Sequence, residues 1–406
     1  VKILIIYRHY WPDTPPLGSM LRTISENLVA RGHKVYVVTA QPSYQARQGK
    51  PLPKRETKGG VRIIRLPLMR ETGGTIRRAL NILLFQVSAF LYAGRHRFDL
   101  VWTNTLPPVY AGFNAYFAAK ACGARFLYHV QDIYPEVWRY SSPEKPGKVK
   151  SAFMRIAASI DSWNCRRASA VVVLSEDMMR TIADRGGNGA VAFHVINNFI
   201  QAELKSDGPP PKRVGMPDGP DAPFRLVFSG NLGRFQNLDL LVEAMALIKP
   251  EEKIALEFIG SGVAEDRLRE MVQERGLDHI TFTARLPSDE AFRLTRTADL
   301  GVISLLPGIY RVSYPSKLMT YMAAGLPVLA LMEPDSALAH YLDDTNAGIA
   351  VQGDAAAVAD AIRKARDTYA AEADIKTRIE AQAERDFGLK ATCERWAQLI
   401  DTFSAD

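Results

Sequence analysis

The chain has 406 residues, 47% hydrophobic and 23% charged, which is globular rather than disordered and long enough for two domains that each bury a core. Three scattered cysteines, Cys122, Cys165 and Cys393, show no metal-ligand spacing and suggest a reducing compartment. The net charge of +7 hides an asymmetry, since residues 1–200 carry 28 Lys and Arg against 12 Asp and Glu and the remainder carries 23 against 32. A basic first half suits an anionic surface. Its cations form no compact block and no nucleic-acid motif, so nucleic acid is not an expected partner. No uncharged run reaches the roughly 20 residues of a membrane span. Residues 1–6 run straight into a loop, unlike a secretory signal.

In chain order, short Val/Ile/Leu runs over 2–7, 35–39, 61–66, 100–103, 125–130 and 170–174 predict buried strands, with helical stretches such as 19–31 between them. That alternation is the pattern of a parallel sheet covered on both faces. The loop from His9 to Met20 leads into a helix and holds Gly18. A lone glycine there reads as a turn residue or as a point of backbone approach to a phosphate. Residues 77–95 are apolar between basic ends. They suit a core helix, the plainer reading, or a helix lying on a membrane face. Past residue 125, His129 lies in the strand pattern and reads as a core histidine or as a group behind a site. Asp132 falls just beyond the strand, where a carboxylate can face a ligand. Glu136 follows Pro135 and reads most simply as a first-turn carboxylate complementing a helix dipole.

The Pro/Gly-dense stretch 206–223 cannot sustain helix or central strand and reads as a linker. A second strand series follows over 224–229, 254–259, 280–283, 300–304, 327–330 and 348–351, with a last helix over 389–404. After the first of these strands, Gly230 and Gly233 permit close backbone approach and Arg234 can pair with a diphosphate. Gly260-Ser-Gly262 repeats the strand–glycine arrangement more weakly. The most informative stretch is 314–330. Pro315 suits a helix start and Gly325 its stop. The N–H groups of Ser316, Lys317 and Leu318, with the Lys317 ammonium beside them, then form an anion site.

The segments Tyr314-Pro-Ser-Lys-Leu-Met-Thr-Tyr-Met-Ala-Ala-Gly-Leu-Pro-Val, Asp132-Ile-Tyr-Pro-Glu136 and Gly230-Asn-Leu-Gly-Arg234 resemble the donor-site helix and two loops of the retaining nucleotide-sugar glycosyltransferases of family four. The resemblance is closest to the bacterial N-acetylfucosaminyl-type branch of O-antigen and capsule synthesis. It implies an α/β GT-B fold of two Rossmann-like, doubly wound lobes facing a cleft: an acceptor lobe over 1–200, a linker over 201–223, a donor lobe over 224–388 and a C-terminal helix over 389–406 crossing back to the first lobe. It implies a retaining, metal-independent transfer from a UDP-sugar, such as an N-acetylated deoxyhexosamine, to a sugar on polyprenyl diphosphate. The implied location is cytoplasmic and peripheral at the inner face of the plasma membrane, in contact with anionic lipid. No cofactor is implied beyond the nucleotide-sugar co-substrate.

Carried over by motif, Asp132, Arg234 and Lys317 are the implied catalytic groups. Gly18, Gly230, Gly233, Gly260, Arg285, Leu286, Pro315, Ser316, Leu318 and Thr320 fall to the donor diphosphate and nucleotide. Ser313 and Tyr314 fall to the donor sugar, and His129 and Glu136 to the acceptor side or a supporting layer. The chain departs from the family at the Glu-x7-Glu signature, where it has Val312 and Thr320, and at Leu17 and Gln236, in place of a glycine and a lysine. Two other readings stay open: a GT-B epimerase acting on the donor alone, and a catalytically degenerate partner subunit, which would account for the missing glutamates.

Overall fold

The computed structural model describes residues 1–13, 16–42, 51–69, 74–141, 147–185, 191–200, 208–211 and 222–404. The chain divides into two compact units, Val1–Asn198 with Thr392–Asp406, and Phe199–Ala391. Most of the predicted linker (201–207 and 212–221) and two residues of the first loop, Thr14 and Pro15, lie outside the described residues.

In the first unit the elements run β1 (Lys2–Ile6), α1 (Pro16–Ala30), β2 (Lys34–Ala40), β3 (Arg55–Lys58), β4 (Val61–Leu66), α2 (Thr75–Gly94), β5 (Leu100–Asn104), α3 (Tyr110–Cys122), β6 (Arg125–His129), α4 (Lys148–Arg167), β7 (Ala170–Val173), α5 (Glu176–Ala183) and β8 (Phe193–Val195). They form one eight-stranded sheet in the order β3-β4-β2-β1-β5-β6-β7-β8. Its central strands are the predicted apolar runs, buried along nearly their whole length because helices cover both faces. The sheet is not purely parallel. β3 pairs antiparallel with β4, Arg55 opposite Ile64, and its charged sequence suits an edge.

Helices α2, α3 and α4 pack side by side on this sheet, and their polarity is inverted. Asn81, Gln86, Asn114 and Asn164 are buried. Asn81 exchanges two hydrogen bonds with the Met69 backbone, at 2.9 and 3.0 Å. Asn114 donates to the Gln86 side chain at 2.8 Å. Phe85 of α2 is buried, but Ile76 at 79% exposure, Leu80, Leu83, Leu84, Val87 and Leu91 are left exposed. The stretch 77–95 is therefore a core helix only in part: its buried stripe is Asn81, Phe85, Gln86, Ala89 and Ala93, while Leu80, Leu83, Leu84 and Leu91 stand exposed. Among the described residues no helix is long and apolar enough to cross a membrane.

The second unit holds β9 (Phe224–Ser229), α6 (Leu238–Met245), β10 (Ile254–Ile259), α7 (Glu265–Glu274), β11 (Ile280–Thr283), α8 (Ser288–Thr295), β12 (Leu300–Ser304), α9 (Lys317–Ala323), β13 (Val328–Leu331), α10 (Ala337–Asp344), β14 (Gly348–Val351), α11 (Ala355–Tyr369) and α12 (Ile375–Phe387). Its six strands are all parallel, in the order β11-β10-β9-β12-β13-β14. The connection order reverses between β9 and β12, the point where doubly wound sheets open a ligand crevice beyond the strand ends. The final helix, α13 (Leu389–Asp401), starts at this unit's edge, and from Thr392 onward the chain belongs to the first unit. There the Trp396 indole stacks on Trp102 of β5 with ring centroids 4.4 Å apart.

Candidate active site

At the reversal point of the second unit, β9 ends at Ser229 and the chain turns through Gly230, whose φ is +124°. The Gly230 N–H donates to the Ile259 carbonyl at 2.8 Å, and the Gly260 N–H donates to the Thr283 carbonyl at 2.9 Å. The turns leaving β9 and β10 thus lie against each other. A Cβ on Gly260 would sit 2.0 Å from the Gly230 carbonyl oxygen, and one on Gly262 2.3 Å from that of Leu232. Only glycine allows this backbone-to-backbone contact, and φ of +137° at Gly260 excludes other residues independently. The two glycines keep the strand-end loops tightly packed.

Lys317, the first residue of α9, reaches over this turn. Its Nζ lies 4.6 Å from the centroid of the fully buried Phe228 ring. A Cβ added to Gly230 would meet Lys317 Cε and Nζ at 3.3 Å. The ammonium is packed on an aromatic face beside bare backbone. Burial pushes its pKa down to about 8, as desolvation disfavours the charged form. One turn further along α9, the fully buried Tyr321 accepts the Ser229 N–H at 2.9 Å. A Cβ on Gly301 of β12 would fall 2.5 Å from the Tyr321 ring. Gly301 therefore makes room for the tyrosine that ties α9 to the end of β9. Neither residue stands out in the sequence, because a glycine inside a strand and a tyrosine inside a helix carry no pattern of their own.

One donor expected to be free, the Leu318 N–H, is occupied, and so is that of Gly233. The Leu318 N–H donates to the Pro315 carbonyl at 3.2 Å, because α9 begins at Lys317, with Ser316 as its cap and Pro315 outside it. The Gly233 N–H donates to Gln236 Oε1 at 2.8 Å. Arg234, between them in the same loop, is exposed. Thr320 is partly exposed, three residues after Lys317 and so on the same side of α9. Val312 is a buried core residue. Ser313 follows a short turn over Ile309–Arg311, its N–H donating to the Ile309 carbonyl at 3.1 Å. Tyr314 and Leu286 pack against the hydrophobic core, and Arg285 is exposed. The loop between β12 and α9 is held by a carboxylate that the sequence reading does not single out: Glu333, past β13, accepts the Gly308 N–H at 2.7 Å.

The remaining candidates lie in the first unit. Gly18 is buried in the first turn of α1, where a Cβ would sit 2.6 Å from the His9 carbonyl oxygen; its smallness serves loop–helix packing. His129 is a core histidine. It packs edge-on to Trp396 at 4.9 Å, and burial holds its pKa down at about 3. Its ring is therefore neutral at physiological pH. Asp132 is partly buried three residues beyond β6, and its charge, after burial, helps push Tyr134 up to about 12. Glu136 starts a short 3-10 turn and is clamped by Arg185, whose Nε donates at 2.9 Å. Arg185 also reaches Asp161 at 2.5 Å and the Tyr134 carbonyl at 2.7 Å. Asp161 in turn accepts the Tyr128 hydroxyl at 2.8 Å. Glu136 is thus part of a buried charge network, not a dipole partner of a long helix. Among the described residues no group of three or more His, Cys, Asp and Glu could hold a metal ion.

Comparison with known proteins agrees with this architecture. Residues 17–199 match the model of a glycosyl transferase 4-like domain, and residues 223–367 match that of glycosyl transferases group 1. The chain is 27% identical over 364 residues to the putative colanic acid biosynthesis glycosyl transferase WcaI of Escherichia coli K12, covering 86% of this chain and 88% of that one. Its fold is similar to that of sucrose-phosphate synthase from Thermosynechococcus elongatus, with a TM-score of 0.74 and 19% identity over all of both chains. It is also similar to Anabaena Alr3699/HepE, solved with UDP, with a TM-score of 0.67 and 16% identity over 99% of this chain and 100% of that one. The fold is GT-B. The chain is a glycosyltransferase, with a 4-like domain followed by a group 1 domain.

Proposed function

We infer that the protein transfers a sugar from a nucleotide-diphosphate donor bound in the second unit, with the diphosphate at Lys317. The observation that carries this reading is the Lys317 ammonium, desolvated over Phe228 and set beside the bare Gly230 turn at the strand-order reversal. A largely desolvated cation is a strong partner for a polyanion, and the glycine turn lets phosphate oxygens approach it. Anabaena HepE was solved with UDP and with UDP-glucose, which supports a uridine donor, in the reading an N-acetylated deoxyhexosamine on UDP. Lys317 and Arg234 stabilise the charge that develops on the departing diphosphate, the chief catalytic task of such a transfer.

The reaction is read as retaining and metal-independent. An acceptor hydroxyl attacks the anomeric carbon from the leaving-group side, and a departing phosphate oxygen receives its proton. Asp132 orients the acceptor, a sugar on a polyprenyl diphosphate used in polysaccharide synthesis. The protein works in the cytoplasm, peripheral at an anionic membrane. A thermal-shift panel of UDP, GDP, ADP and dTDP without added metal tests the donor reading. Ligand binding to the native state raises the midpoint by mass action, so a shift with UDP that disappears in Lys317→Met is the expected result. No shift with any nucleotide in a folded sample would overturn it.

A further inference from the structure

The inverted helices of the first unit place a second functional surface far more openly than the sequence does. Buried amides and exposed large side chains are the reverse of what solubility favours. Here the inversion runs across three adjacent helices: Leu84 and Val87 of α2, Phe117 of α3, and Phe153 and Ile156 of α4 are all exposed, Phe153 at 58% and Ile156 at 60%. The face is continuous between α3 and α4, where the Phe117 and Trp163 rings stack at 6.1 Å. A contiguous apolar face of this kind marks an interaction site.

Charge identifies the occupant. Helices α2, α3 and α4 together carry eight Lys and Arg, all exposed, among them Arg77, Lys120, Lys148 and Arg155. Their one acid, Asp161, is buried and paired with Arg185. An apolar face on helices whose exposed charges are all cations fits a bilayer with anionic headgroups: the rings and leucines enter the headgroup–acyl boundary while lysines and arginines meet phosphates. It fits a second copy of this chain poorly, because a two-fold interface would set the same eight cations against each other. We propose that the α2–α3–α4 face is the surface by which the protein lies on anionic membranes. This deepens the reading of a peripheral enzyme with a lipid-linked acceptor, yet it stands on the first unit alone and is separable from nucleotide binding in the second.

The test is flotation of the full chain with phosphatidylcholine vesicles, with and without phosphatidylglycerol. Two variant pairs accompany it, Leu84→Glu with Phe153→Glu and Lys148→Glu with Arg155→Glu, each checked by its melting midpoint. All four positions are exposed, so folding is expected to persist. Wild type should float with the anionic vesicles, and each pair should lower the bound fraction by about tenfold or more. Absence of flotation, or variants that bind like wild type, would overturn the proposal. So would a wild-type dimer in sedimentation velocity that Leu84→Glu with Phe153→Glu dissolves, since a second copy would then cover the face. If UDP gives no thermal shift while flotation behaves as expected, the donor reading fails and the membrane face stands; the converse result separates them the other way.

Discussion

An ammonium packed over Phe228 is costly to hold without an anion, and that cost makes Lys317 readable by pH. Its pKa is pushed down to about 8 from the usual 10.5. The folded state therefore releases this proton before the unfolded chain does, and the group's contribution to stability rises between about pH 8 and 10.5. Below that window the charge is a burden on the empty fold. Lys317→Met should thus leave the melting midpoint unchanged or raise it by a few degrees while lowering turnover by about a hundredfold or more. Calorimetric melts beside single-substrate kinetics would check both halves. A bound diphosphate restores the lysine's charged state. UDP affinity should then weaken as pH rises through about 8, with proton uptake on binding visible as a buffer-dependent heat in titration calorimetry. His129, neutral in its Trp-lined core position, should contribute nothing to that profile.

At the scale of elements, the second unit was largely legible. Its strands are mostly apolar and buried, as an all-parallel sheet demands, with Arg225 and Glu257 the charged exceptions in β9 and β10, and the helix carrying Lys317 announced itself by Pro315 and Gly325. What the sequence withheld were features that depend on a partner element. The strand Arg55–Lys58 is charged along its length and shows no buried face. The α2 leucines have a helical period that does not say which way the stripe faces; only the Asn81 bonds to Met69 and the Gln86–Asn114 pair show that the polar side turns inward. Gln236 looks like a lost lysine until it is seen accepting the Gly233 N–H.

Arg185 is the plainest omission, a lone residue after α5 that joins Glu136, Asp161 and the Tyr134 carbonyl. Removing one partner of a buried charge network strands the others. Arg185→Met should cost about 3–5 kcal/mol in the first unit's own urea transition, followed by its tryptophan fluorescence, and leave the UDP-induced thermal shift intact. A lost shift with little destabilisation would instead return Glu136 to the ligand side.

For the whole molecule, two cores mean two responses to denaturant, and the chain's last helix decides how they are divided. Trp396 is almost completely buried, stacked on Trp102 at 4.4 Å and edge-on to His129 at 4.9 Å. Both contacts lie in the first unit, although α13 begins at the edge of the second. Residues 392–406 thus complete a core whose other residues precede position 199. The resemblance implied a returning helix, but no pattern in 389–404 could say that a single indole would close the gap over β5. Deleting that ring leaves a cavity that the rigid β5–β6 sheet has little means to fill, so Trp396→Ala should cost about 3–5 kcal/mol. The loss should fall on the first unit alone. Two-state analysis does not apply to a two-core chain, so the variant should be followed by two signals: the fluorescence of its remaining tryptophans, all four of which lie in the first unit, and the UDP-induced shift, which reads the second. An early fluorescence transition with an unchanged UDP shift is the expected outcome. Parallel loss of both would mean that the nucleotide site depends on the first unit's integrity, and the second unit could not then be treated as a donor-binding module in its own right.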